Sequence, residues 1–455
     1  MKPPSASPTI KPPRLMLFDL ALGGHHGNYI QHLIDYACQQ PVVSAIDIVV
    51  LPHFLEVHRD TVAAIASHHQ PAIQILPIAA DEVAALGDRS SGWSRLQRNF
   101  REWQIFCKYA RNLQTTHALM MYLDTCELPL AVGMQSPCPF SGIYFRPTFH
   151  YGMFANHHPD LKERLKQWRN RFTLDRILAH PQLQTVFCLD PFAVEALKTN
   201  FPGERLLRRR IAKGEAPPTV QVRQRKSAKI VTLADPVGSS PSTSLDLTTY
   251  LDQLGIKADR RVFLLFGALD GRKGIYQLLE AIELLPPALS QQMCLLLVGK
   301  TNAAERANIE QKIAALRQNA PIQIIECYDF IPEDEVPKYF QLADVVLAPY
   351  QRHIGMSGIL LLAAAAGKPV LSTNYGLMGE LVRRYQLGVA VDTTQPPELM
   401  QALACCLTEV PETLGERALM QVFAEQNSID RYTSAIFQHL DLDTNHFLSV
   451  HIGVT

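Results

Sequence analysis

Short apolar runs punctuate the first half of the chain at Leu15 to Asp19, Ile46 to Leu51, Ile73 to Ile78, Ala118 to Leu123, Gly142 to Phe145 and Val186 to Leu189. Between most of them lie stretches with helical or loop character, such as the helical pattern Tyr29 to Cys38. Runs of this length bounded by turn residues predict buried strands, and strands alternating with helices predict a parallel sheet covered on both faces. The second half repeats the pattern at Val262 to Phe266, Cys294 to Val298, Ile322 to Ile325, Val345 to Pro349 and Pro369 to Ser372. Two tandem Rossmann-like α/β domains are therefore expected, one over residues 15–237 and one over 248–440. The stretch Gly238-Ser239-Ser240-Pro241-Ser242-Thr243-Ser244 predicts a linker over 238–247. In doubly wound sheets ligands bind beyond the carboxyl ends of the strands, so two such domains are expected to face each other across a cleft.

The ends and the composition narrow the class. Residues 1–14 hold five prolines and lack the apolar centre of a secretory signal, which predicts a disordered leader; 441–455 reads as a tail. The chain has 455 residues, 47% hydrophobic and 19% charged, as a globular protein of two ordinary domains would. Lys plus Arg and Asp plus Glu both number 43, so no overall field favours nucleic acid. Nine cysteines without a CxxC motif fit a reduced, cytoplasmic setting. The longest apolar stretch, Ile359 to Ala366, falls far short of the roughly 18 to 20 residues a bilayer span needs. The expected protein is soluble, or peripheral at a membrane.

Two loops after strands carry candidate chemistry. Gly267-Ala268-Leu269-Asp270-Gly271-Arg272-Lys273-Gly274 joins the run ending at Phe266 to a helix beginning near Ile275. Glycines permit close backbone approach, and a helix N-terminus beside Arg272 and Lys273 favours a phosphate. The alternative is an ordinary turn with two solvated cations. The second loop, His353-Ile354-Gly355-Met356-Ser357-Gly358, precedes the apolar helix Ile359 to Ala366. Amides at Ser357 and Gly358 would make a second anion site, and two such sites suit a diphosphate. The alternative is a helix capped by Ser357 and buried for packing alone.

The string Gly267 to Gly274, followed by Ala343-Asp344-Val345-Val346-Leu347-Ala348-Pro349 and Ala363-Ala364-Ala365-Ala366-Gly367-Lys368-Pro369-Val370, resembles the donor-binding half of GT-B retaining glycosyltransferases of the family 4 type. The first half is similar more loosely, through Gly23-Gly24 and Asp235-Pro236-Val237. The resemblance implies transfer of a sugar from a nucleotide-sugar donor to an acceptor held by the first domain, with no cofactor and no essential metal. It implies that Lys273 meets the donor diphosphate, that Gly267 and Gly274 flank it, and that Ser357 and Gly358 lie in the loop whose amides face the phosphates. Three positions depart from the pattern. The usual pair of glutamates is absent, the matching residues being Ile354 and Leu362, neither of which can accept a hydrogen bond from a hydroxyl. The usual arginine is Ala268, with Arg272 near enough to supply a replacement cation.

The remaining features divide by function. Gly23-Gly24-His25-His26-Gly27 fails the G-x-G-x-x-G spacing of a dinucleotide site because position 25 is His25, which argues against hydride transfer. His25 or His26 could instead offer a proton near neutral pH, against the alternative of a surface pair with no role. His150 and Asp124 follow strands and are candidates on the acceptor side; the catalytic candidates are His150 and His25. A zinc site is not expected, because the histidine pairs 25–26, 68–69 and 157–158 are adjacent and diverge on any regular element. From Arg205 to Lys229 nine Lys or Arg stand against Glu215 alone. Trp93 to Leu113 has the spacing of an amphipathic helix, either covering the first sheet or lying at an interface. If these two features shared a surface, the acceptor would be lipid-linked or membrane-associated. Two functions follow: a glycosyltransferase with Arg272, Lys273, Gly267, Ser357 and Gly358 on the donor, or a non-catalytic nucleotide-binding or scaffold protein of the same fold.

Overall fold

The computed structural model describes residues 13–21, 26–40, 43–68, 72–87, 91–154, 160–199, 228–236 and 247–440. Their contacts divide into two units. The first draws on Met1–Phe149, Leu161–Leu233 and Asp430–Thr455; the second on His150–Asp160 and Ala234–Ile429.

The first unit is built on a seven-stranded sheet of β1 (Arg14–Asp19), β2 (Ala45–Val50), β3 (Ala72–Pro77), β4 (His117–Met120), β5 (Phe140–Tyr144), β6 (Leu183–Cys188) and β7 (Lys229–Thr232). Its order is β3-β2-β1-β4-β5-β6-β7, with every pairing parallel. The second unit has a six-stranded sheet of β8 (Arg261–Phe266), β9 (Met293–Val298), β10 (Gln323–Cys327), β11 (Val345–Ala348), β12 (Val370–Thr373) and β13 (Gly388–Val391). Its order is β10-β9-β8-β11-β12-β13, again all parallel. Central strands such as β9 are buried at every residue, the signature of a parallel sheet with helices on both faces. In each sheet the order reverses once, between β1 and β4 and between β8 and β11, and these are the points where an open α/β sheet leaves a crevice.

Several sequence expectations resolve here. The helix Gly92–Asn112 lays Trp103, Phe106, Cys107 and Ala110 into the core of the first sheet, so it is a covering helix, with Trp93 left exposed at its start. Arg14 is not part of a leader. It opens β1, and its guanidinium binds the buried Asp47 of β2, with Nη2 to Oδ1 at 2.8 Å. Leu247 is likewise the first residue of a helix, Leu247–Gln253, rather than the end of a linker. Residues 1–12, 237–246 and 441–455 lie outside the described residues, as do 200–227, which hold nearly all of the basic span.

The domain boundaries differ from a single cut. The helix Ile429–His439 joins the first unit from Asp430 on, because its buried face finds aromatic partners there: Tyr432 on Tyr29 at 5.3 Å between centroids, and Phe437 stacked on Tyr36 at 5.1 Å. In the other direction, His150 to Phe154 belong to the second unit. Among the described residues, no helix is long and apolar enough to cross a membrane.

Candidate functional site

In the second unit the loops leaving β8 and β11 meet. Asp270 accepts the Arg272 amide at 3.0 Å and so starts the one-turn 3-10 helix Gly271–Lys273. Gly274 closes it at φ +74, and a Cβ there would stand 2.0 Å from the Pro349 carbonyl oxygen. The glycine is thus required for the two loops to touch. Gln351 N–H donates to the Arg272 carbonyl at 2.9 Å across the same contact.

This contact carries Lys273 to Tyr350. The Lys273 ammonium donates to the Phe266 carbonyl at 3.2 Å and to the Tyr350 hydroxyl, and lies 4.3 Å from the centroid of the Tyr350 ring. Ser357 Oγ donates to the same hydroxyl at 3.2 Å. The buried Ser357 side chain makes no capping bond to the helix Gly358–Ala365, so a cap is not its role. A half-buried cation, a phenol and a hydroxyl are thus chained together beside the amides of a helix start, which have no acceptors within the helix. Gly267 stands at φ +106, where a Cβ would lie 3.0 Å from the Lys273 ammonium.

Arg272 is placed differently from Lys273. Its side chain is 86% exposed and its guanidinium is held by Asp270 at 2.6 Å, which raises its pKa and offsets its charge. Ile354 and Leu362 are both half-buried.

Tyr151 is a residue that sequence reasoning missed. It follows His150 in the first half of the chain, yet its hydroxyl accepts the Gly355 amide at 3.1 Å in the loop before Ser357, and its ring packs on Gly376 and Tyr375. His150 itself is 2% exposed, with the rings of Tyr151 and Phe154 edge-on at 5.1 and 5.3 Å. His150, expected from the sequence as an acceptor-side catalytic candidate, is therefore a buried side chain. The backbone turns at His150 into the short helix Tyr151–Met153, which folds the imidazole inward.

The first unit gathers a second cluster at the ends of β1 and β4. His25 lies outside the described residues, but His26 opens the helix His26–Gln39, and its Nδ1 is 2.7 Å from Oδ2 of Asp19, the last residue of β1. Asp19 is buried, and its other oxygen accepts the Ala21 amide at 2.9 Å. Burial disfavours the charged imidazole, but the Asp19 hydrogen bond and charge, with Asp124 nearby, leave the His26 pKa above its ordinary value. The ring stacks on Phe145 at 5.7 Å and meets Tyr122 edge-on at 5.6 Å.

Asp124, just past β4, accepts the amides of Phe145 and Arg146 at 2.9 Å each, tying the β4 and β5 exit loops together. Burial pushes its carboxyl up to about 6 against the pull of those amides. Glu127 rises to about 7 through burial and the neighbouring Asp124, opposed by a hydrogen bond from Tyr144. Two carboxylates titrating near neutrality and an imidazole with a raised pKa, walled by aromatic rings, can accept hydroxyl protons and hold a ring-shaped polyol. Asp19 could have been noticed as the acidic end of an apolar run. Glu127 has no such mark.

Residues 247–418 match the family model described as "Glycosyl transferases group 1". The chain is 26% identical over 195 residues to the "Putative glycosyltransferase YtcC" of Bacillus subtilis, covering 42% of this chain and 44% of that one. It is 27% identical over 164 residues to the "Lipopolysaccharide glucosyltransferase WaaG" of Escherichia coli, covering 36% and 41%. The chain thus spans less than half the length of these curated relatives. It is also similar to the crystal structure of Anabaena Alr3699/HepE in complex with UDP and glucose, with a TM-score of 0.59 and 14% identity, covering 93% of this chain and 98% of that one. That likeness is one of fold, two Rossmann-like domains of the GT-B kind.

Proposed function

We propose that this chain is a glycosyltransferase that binds a nucleotide-sugar donor in its second unit and transfers the sugar, with retention, to an acceptor bound by the first. The observation that carries the proposal is the chain Lys273–Tyr350–Ser357 at the β8/β11 reversal, built from the two loops whose sequence lies inside the matched family region. As the sugar–phosphate bond breaks, negative charge grows on the diphosphate. In this reading Lys273 and the amides at Ser357 and Gly358 stabilise it. Gly267 keeps the backbone clear beside Lys273, and Arg272 contributes after release from Asp270. The crystallised complexes of Anabaena HepE with UDP and with UDP-glucose make a uridine donor the first to try.

On the acceptor side the Asp19–His26 pair supports a hydroxyl-activating role. With Asp19 holding Nδ1–H, the neutral ring presents Nε2 as an acceptor for the proton of an attacking hydroxyl. His150 is assigned the positioning of Tyr151 and the Gly355 loop, and His25 remains to be tested beside His26. The test is sugar transfer or donor hydrolysis by the purified chain across a panel of UDP-, GDP- and ADP-sugars, against a heat-killed control.

A second reading, a nucleotide-binding protein without catalysis, draws on Ala268, Ile354 and Leu362, which leave the donor sugar without the usual polar partners. Steady turnover in that assay eliminates it. Nucleotide binding without turnover on any donor selects it.

A further inference from the structure

The helix Leu161–Leu178 has two faces of different character. Leu174, Ile177 and Leu178 are buried in the first unit, as a covering helix requires. Leu161, Leu165, Trp168 and Phe172 are 85%, 66%, 66% and 57% exposed. Their spacing of four, three and four residues keeps all four within an arc of about 60° on an α-helix. The rings of Trp168 and Phe172 stack on each other at 6.0 Å, so the stripe is one continuous apolar surface. Exposed apolar residues are ordinary when scattered, whereas a contiguous stripe of four large side chains marks a surface that meets something.

The flanks identify what it meets. On the same helical projection Arg164 and Arg171 border one side of the stripe, where Asp175 holds the Arg171 guanidinium at 3.2 Å, and Arg169 and Arg176 border the other, about 50 to 90° from its centre. The helix carries six Lys or Arg against Glu163 and Asp175. Arg176 also donates to the Ala131 carbonyl at 2.9 Å, and the next residue, Val132, is 63% exposed. A second copy of this chain meeting across the face would set these cations against one another. A surface that is apolar within and anionic at its boundary suits them: Trp, Phe and Leu enter the acyl boundary while flanking arginines lie among phosphates.

We infer that the helix Leu161–Leu178 is a docking surface for a bilayer rich in anionic lipid, which it meets with its axis in the membrane plane. The inference is independent of sugar transfer, since vesicle binding requires no donor and no turnover.

It is tested by co-sedimentation of the full chain with vesicles of pure phosphatidylcholine and of phosphatidylcholine with about 30% phosphatidylglycerol. The chain is expected on the anionic vesicles and not on the neutral ones, with binding weakened by salt. The double variant Trp168→Glu/Phe172→Glu, at exposed positions and checked for folding by circular dichroism, is expected to bind at least about tenfold more weakly. Brominated lipids are expected to quench the emission of the wild-type chain, with most of that quenching lost in Trp168→Phe. Three results overturn the inference: no binding of the wild-type chain to anionic vesicles, equal binding of the folded double variant, or a wild-type dimer that the double variant dissolves without any vesicle binding.

Discussion

Both sheets reverse their strand order once, and each unit collects polar groups at that reversal, but the two collections are chemically opposed. Beyond β1 and β4 stand Asp19, Asp124 and Glu127 with one imidazole, enclosed by Tyr29, Tyr122 and Phe145. Beyond β8 and β11 stand a lysine, a phenol and a serine hydroxyl beside a helix start. The topology supplies the same crevice twice, and the loop residues decide what each accepts. The first suits neutral hydroxyl groups whose protons move near neutral pH, and the second suits an anion.

The largest effect expected from breaking this contrast lies in the first unit. His26→Gln is predicted to lower turnover by roughly a hundredfold, as loss of a positioned base does, with nucleotide binding unchanged. An unaltered turnover number in a steady-state assay removes His26 from the chemistry. Asp19→Asn sharpens the point. Asp19 holds the His26 pKa up, so the asparagine variant should lose its proton at lower pH, and the rising limb of the pH–rate profile should move down. A limb that stays in place refutes the pairing.

In the second unit, Gly274→Ala forces a Cβ against the Pro349 carbonyl at a left-handed backbone position. A loss of about 2 to 3 kcal/mol in denaturant unfolding is predicted. A variant as stable as wild type would mean the two loops do not hold each other.

A pH dependence of stability separates the units further. Glu127 titrates at about 7 in the folded chain, above the ordinary carboxylate value. Its contribution is therefore fully present below the unfolded pKa and lost as pH rises through about 7. Asp124 acts in the same direction at about 6. Thermal unfolding of Glu127→Gln should accordingly show a flatter decline between mildly acidic and neutral pH. An unchanged slope contradicts the burial argument. The smallest effect belongs to Arg272→Ala, predicted to weaken nucleotide binding by less than about threefold because Asp270 already offsets its charge. A tenfold loss would make Arg272 a phosphate ligand equal to Lys273.

What the sequence disclosed follows the same physics. Eleven apolar runs marked strands, nine of them interior, because a strand buried on both faces must be apolar throughout; β3 and β10, at the opposite edges, were marked by their isoleucines although only partly buried. Neither Lys229–Thr232 nor Gly388–Val391 announced itself, and these are the last strands at the edges of their sheets, four residues each and only partly buried. The glycine and lysine positions of the loops after β8 and β11 stood out because backbone conformation and charge are local properties. Tyr350, Tyr151 and Glu127 were not. Tyr151 lies 204 residues from its partner Gly355, and no spacing rule spans that distance. Likewise, Ser357 has the residue type of a helix cap, and only its neighbour Tyr350 diverts the hydroxyl. The stripe from Leu161 to Phe172 has amphipathic spacing, but its exposure became visible only when the opposite face was seen to fill the core.

The account rests on Lys273 as the cation of an anion site in the second unit. Calorimetric titration of the purified chain with UDP, GDP and ADP, repeated on Lys273→Ala, tests that directly. The prediction is selective binding of one nucleoside diphosphate, weakened roughly ten- to a hundredfold in the folded variant, as loss of a charged hydrogen-bond partner requires. Equal affinity in the two proteins, or no binding of any nucleotide by the wild-type chain, would contradict it.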